Sequence, residues 1–136
     1  MAYQKIFHEF IFKRGYKMKK DDLDYVIEAL KKRDEILIND KPVRQYNKYF
    51  DNMRKHAKKL IADNRQDELL PLLNSNNISY RFDVAGLLYN FYPEKCKQIL
   101  KDISAMSVQN GLPRCYSDIR IAAKMTLEIG IPKDFP

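Results

Sequence analysis

In the stretch DDLDYVIEALKKRDEILI, apolar Leu23, Val26, Ile27, Leu30, Ile36 and Leu37 recur at helical steps. Asp21, Asp22 and Asp24 crowd its start, where the positive end of a helix dipole favours carboxylates. The pattern predicts a helix over 21–38. A second stripe follows in Tyr46, Tyr49, Phe50, Met53, Ala57, Leu60 and Ile61, and Pro42 suits a first helical turn, so 42–63 is predicted helical as well. The first 20 residues contain IFHEFIF, which fits either a helix stripe of Ile6, Phe7, Phe10 and Ile11 or a short strand, with helix preferred.

The stretch LLPLLNSNNISYRFDVAGLLY joins two leucine-rich segments through a polar hinge. It predicts a short helix over 67–73 that tolerates Pro71 only near its start, a turn at 74–77, and a helix over 79–91 carrying Phe82, Val84, Ala85, Leu88 and Tyr89. Pro93 opens the next segment, in which Cys96, Ile99, Leu100 and Ile103 keep the helical step. Asn110, Gly111 and Pro113 mark a turn. Ser117 is the expected N-cap of a last helix through Ile119, Ala122, Ala123, Met125, Thr126 and Leu127, closed by Gly130 with Pro132 beyond it.

The pairs Val43-Arg44, Tyr80-Arg81 and Ile119-Arg120 stand 37 and 39 residues apart. The last two are followed at matching offsets by Val84 and Ala123, then Leu88 and Leu127, whereas the first is followed by Asn47 and Asp51. A recurring helical pair of this length predicts an all-α fold of stacked antiparallel pairs, HEAT- or armadillo-like, with two well-matched repeats. Each arginine near a helix start is expected to lie across an inter-repeat turn and bond its carbonyls or acidic groups. The alternative is that Tyr80 and Arg81 stand on the ridge of turns and meet a partner, being residue types common among binding hot spots.

A chain of 136 residues with four glycines and no Gly/Ser- or Pro-rich linker reads as a single domain, 1–136, with 1–20 as a less regular N-terminal extension. No apolar run approaches the roughly 18 residues that span a bilayer, and no secretory leader is recognisable, so the expected compartment is the cytoplasm. Cys96 and Cys115 lack metal-ligand spacing and read as buried free thiols. The net charge of +7 is uneven: residues 1–60 hold 16 Lys and Arg against 9 Asp and Glu, and the remainder hold 9 against 9. The basic first half therefore calls for an acidic partner surface or for phosphates.

No phosphate-cradling glycine loop, zinc-protease helix or nucleophile elbow occurs. The histidines are His8 and His56, and His56, within RKHAKKL, reads as a protonated or surface imidazole rather than a general base. Asp83, Asp102, Asp118 and Glu128 form a catalytic pair only if the fold brings two of them together. The chain is thus read as a non-enzyme without cofactor or metal. Opposite the apolar stripe of 42–63 stand Arg44, Lys48, Lys55, Lys58 and Lys59, interrupted by Asp51, with Lys13, Arg14, Lys17, Lys19 and Lys20 as a further cluster. This row is either an ordinary solvated face or a track for phosphates, although Tyr46, Tyr49 and Phe50 are assigned to the core and not to base stacking.

YNKYFDNM, LLPLL, YRFDVAGLL, the Tyr92-Pro93-Glu94-Lys95 turn and AAKMTL together resemble a bacterial family of small all-helical HEAT-like proteins, over roughly residues 21–130. Some members of that family are immunity proteins encoded beside polymorphic toxins or contact-dependent growth inhibition systems. The resemblance implies a cytoplasmic inhibitor that binds a cognate protein toxin, and it brings no catalytic residue. This chain departs from the family where Val84 and Gly86 flank Ala85 in place of paired alanines, and residues 1–20 lie outside the pattern. The candidate partner-binding residues are Tyr80, Arg81, Arg44, Lys48, Lys55 and Lys59, with nucleic acid as the alternative partner.

Overall fold

A computed structural model describes residues 20–136, so the expected helix in IFHEFIF lies outside the described residues. Five helices follow: α1 (Asp22–Ile38), α2 (Val43–Ala62), α3 (Ile78–Leu88), α4 (Pro93–Ser104) and α5 (Ser117–Ile129). A 3₁₀ helix, Gln66–Asn74, joins α2 to α3, and 3₁₀ turns at Val108–Asn110 and Arg114–Tyr116 precede α5. The fold is all-α: α1 packs on α2 and on α3, α3 on α4, and α4 on α5, while the Gln66–Asn74 3₁₀ helix packs on both α2 and α3.

Local chemistry accounts for the boundaries. Asp21 and Asp24 form a capping box at the start of α1, where the Asp21 backbone N–H donates to Asp24 at 3.0 Å. Pro42 is the cap of α2 and not part of its first turn, because its extended backbone (ψ 136°) precedes the helical residues. The short helix expected around Pro71 is present and is wound as a 3₁₀ helix. Proline lacks the N–H of an α-helical bond and its ring would collide with the carbonyl four residues back, which accounts for the different winding. Leu69, Leu72 and Leu73 still reach the core from it.

Helix α3 stops at Leu88, three residues short of expectation. Pro93 opens α4 and keeps Tyr92 out of the helical region, so the N–H groups of Phe91 and Tyr92 both turn back to the Leu88 carbonyl at 2.9 Å. Ser117 lies inside α5 and makes no capping bond, since the Arg114–Tyr116 turn runs directly into the helix. Gly130 ends α5 at φ 82°, a conformation that favours glycine.

The core is one contiguous cluster in which Val26, Leu30, Met53, Leu60, Leu72, Val84, Leu88, Leu100 and Ala123 are fully enclosed. Val84 and Ala123, matched in the repeat pattern, are both buried, while Asn47 and Asp51 of the first copy are exposed. Cys96 is buried, which pushes its thiol up to about 11, whereas Cys115 is only half-buried; both are free.

Two acidic groups sit inside this core. Asp83 on α3 accepts from Arg33 Nε at 2.9 Å and from its Nη2 at 3.0 Å, and Arg33 Nη1 donates to the Tyr46 carbonyl at 2.9 Å. Tyr46 also covers the guanidinium face, 3.6 Å from its ring centroid. Burial pushes the Asp83 carboxyl up, and the charge of Arg33 opposes that shift. Next along α1, Asp34 accepts from Tyr116 Oη at 2.5 Å and from Asn77 Nδ2 at 2.9 Å. Asn77 in turn caps α3 by accepting from the Tyr80 N–H at 3.1 Å. Helix α1 is thereby joined to α2, α3 and the approach to α5 through two adjacent residues.

At the other end of α1, Arg65 grips both Asp21 and Glu68. Its hydrogen bond holds the Asp21 carboxyl below the ordinary 3.8. The unfolded chain therefore takes up the proton first on acidification, so this contribution is present above the unfolded value and lost as pH falls through the folded one. With the two side chains 32% and 40% exposed, the contribution stays below about 1 kcal/mol.

Two measurements check these joints. Tyr116→Phe deprives a buried carboxylate of one donor and is expected to cost about 1.5–3 kcal/mol in urea denaturation. Arg65→Gln is expected to lower stability slightly at neutral pH, with the difference from wild type shrinking below pH 3.8, as read from parallel melts.

Candidate functional site

The outer face of α2 carries Arg44, Lys48, Lys55, Lys58 and Lys59, all exposed. At 1.5 Å per residue the row runs about 22 Å. None of the five forms a salt bridge with a described residue, in contrast to Lys20, which pairs with Glu28, and Lys32, which pairs with Glu35. Two shallow depressions break the face, one bordered by Arg44, Gln45, Lys48 and Tyr49 and the other by Asp51, Arg54, Lys55 and Lys58. Concave surfaces lined by one sign of charge focus the potential, so the first attracts anionic groups, while Asp51 offsets part of the positive charge around the second. At the α1–α2 turn, Ile38 and Val43 are 55% and 70% exposed beside this charge.

Tyr49 differs from expectation. It is half-buried and lies outside the packed core, bordering the depression with Arg44 and Lys48. Phe50 does pack against the core, and Tyr46 is held under Arg33.

Tyr80 and Arg81 are half-buried beside the hinge and do not join the α2 row. Tyr80 packs on the core, and burial followed by the charges of Asp34 and Glu35 pushes its phenol up. Arg81 Nε is enclosed without a partner among the described residues. Arg44 is exposed, Arg120 is half-buried, and neither forms a side-chain hydrogen bond with a described residue. The three repeat arginines therefore do not tie the turns together; Arg33 and Arg65 do that work. A signal for Arg33 existed in the sequence, since it sits on the stripe of Val26, Leu30 and Leu37 where an apolar residue is due.

His56 is buried and not a surface imidazole. Its ring stacks on Tyr25 with centroids 4.3 Å apart, and Nδ1 lies 2.8 Å from Asp22 Oδ1, so Nδ1 carries the hydrogen that bonds the carboxylate. Asp83 is committed to Arg33, while Asp102, Asp118 and Glu128 are exposed, with Asp102 accepting from Gln98. Among the described residues no His, Cys, Asp and Glu cluster is arranged to hold a metal, and no helix is long and apolar enough to cross a membrane. No family model, curated protein or solved structure matches the chain.

A face without internal partners contributes little to folding. Replacing Arg44, Lys48, Lys55 and Lys59 singly by Gln is expected to change stability by less than about 0.5 kcal/mol each, measured by thermal melts.

Proposed function

We propose that this protein is a cytoplasmic protein-binding module, an immunity protein that binds and neutralises a bacterial toxin by covering its active site or holding it inactive. The observation that carries the reading is the row of unpaired basic side chains on α2 next to exposed Ile38 and Val43. Basic charge beside solvent-exposed apolar side chains suits a protein partner with an acidic rim and an apolar centre, since the charges steer encounter and the apolar groups gain by leaving water. The resemblance to a family that includes immunity proteins supports the same reading. In this arrangement Arg44, Lys48, Lys55 and Lys59 set the association rate, and no cofactor takes part.

A second reading is a nucleic-acid-binding helical protein. It draws on Tyr49, which borders the depression with Arg44 and Lys48, because a ring beside phosphate-binding cations can stack on a base.

The test is a pull-down of the tagged protein from its native cell lysate with and without added nuclease, run in parallel with a variant carrying Glu at positions 44, 48, 55 and 59. A near-stoichiometric protein that survives nuclease, is lost with the variant, and is toxic when expressed alone is the expected result. Nucleic acid alone, lost on digestion and bound with a steep salt dependence, overturns the immunity reading in favour of the second one.

A further inference from the structure

A cavity of about 200 Å³ lies away from the basic face, between α1, α2, α3, α4, α5 and the C-terminal segment 131–136. Phe50, Phe82, Leu87, Leu100 and Phe135 are among its lining residues. Its volume is above the roughly 150 Å³ that admits benzene in an apolar protein cavity. A single-ring molecule therefore fits.

Three observations distinguish this cavity from a packing defect. The first is Arg33, 4% exposed, which is one of the lining residues together with its partner Asp83. A guanidinium carries five N–H donors. Among the described residues Arg33 uses one on Nε and one on Nη2 toward Asp83, and one on Nη1 toward the Tyr46 carbonyl. One donor on each terminal nitrogen is left over, in surroundings where an unfilled donor is costly.

The second is Gly86, which lines the cavity from the interior of α3. A Cβ built there meets nothing within 4 Å, and the residue does not adopt a positive φ. Neither close packing nor backbone conformation requires glycine, and alanine would favour the helix. What glycine provides at this position is room.

The third is the outer wall. The Asn90 side-chain amide donates to the Pro132 carbonyl at 2.8 Å and to the Phe135 carbonyl at 2.9 Å, and Phe135 stacks on Phe50 with centroids 6.1 Å apart. The terminal segment thus forms one side of the cavity and is held through a few contacts around one exposed side chain.

We propose that this cavity is a binding site for a small uncharged ligand with an aromatic or branched alkyl body and one carbonyl oxygen, which accepts from the two remaining Arg33 donors. The wall selects the apolar body. Asp83 already neutralises Arg33, so a carboxylate ligand would bring a second negative charge against the first, and a neutral ketone or amide is favoured.

Acetophenone serves as the probe, titrated into the full chain and followed by ¹H–¹⁵N NMR. Saturable shifts centred on the amides of Phe82, Gly86 and Leu100 are expected, with a dissociation constant of about a millimolar or below. Toluene and benzoate are each expected to bind at least about tenfold more weakly, the ratio given by one good hydrogen bond or one unfavourable charge. Gly86→Val, which places two methyl groups in the open space, is expected to abolish binding while the melting transition persists. Thr126→Leu narrows the same cavity from α5 and provides the same test without altering α3. Absence of saturable shifts, equal binding of toluene and acetophenone, or binding that survives in a folded Gly86→Val or Thr126→Leu protein would each overturn the proposal.

Discussion

The ion pair between Arg33 and Asp83 is the interaction on which the rest of the arrangement depends. It joins residues 50 positions apart in the chain, and both side chains are almost completely removed from water. Such a pair holds only when most of its hydrogen-bonding capacity is met. Two bonds reach Asp83, one reaches the Tyr46 carbonyl, and the rings of Tyr46 and Phe50 flank the cation. One side chain of α1 therefore fixes α2 and α3 at once. Asp34, its neighbour, extends the same logic through Asn77 and Tyr116, so the start of α3 and the entry to α5 are set from the same turn of α1.

This economy shapes the surface. Because the internal joints use Arg33 and Arg65, the cations of α2 are not required for folding and are left facing outward. The enclosed Arg33 thus stands on α1 and the exposed cations on α2. The apolar residues at the α1–α2 turn remain exposed beside the basic row.

Helix periodicity was legible because each helix buries a single stripe, and the boundaries held wherever a side chain decides them. Asp21 capping α1 and Gly130 ending α5 are examples of such local chemistry. Errors arose where neighbouring elements compete. Pro71 changes the winding of its segment, and Pro93 ends α3 early by starting the next helix, which periodicity alone does not reveal. The repeat arginines were legible as a spacing but not as contacts, since whether an arginine reaches an acceptor depends on packing between distant elements. Arg33 and Asp83 follow the same rule in reverse: each breaks an apolar stripe, and only the tertiary fold shows that the two breaks meet. The burial of His56 was not legible, because Tyr25 and Asp22, against which it packs, come from another helix. The basic row, set by spacing on one helix, was legible in full, whereas the cavity beside Gly86 was not, because it is bounded by five helices and the terminal segment.

The most direct test of this account is a double-mutant cycle on the central pair, with stability measured by urea denaturation of wild type, Arg33→Met, Asp83→Leu and the double variant. The account predicts that each single substitution leaves a buried charge unpaired and costs about 3–5 kcal/mol, and that replacing both recovers most of the loss. Small, additive losses from the two single substitutions would contradict it, and would place the joint between α1 and α3 in the surrounding apolar packing.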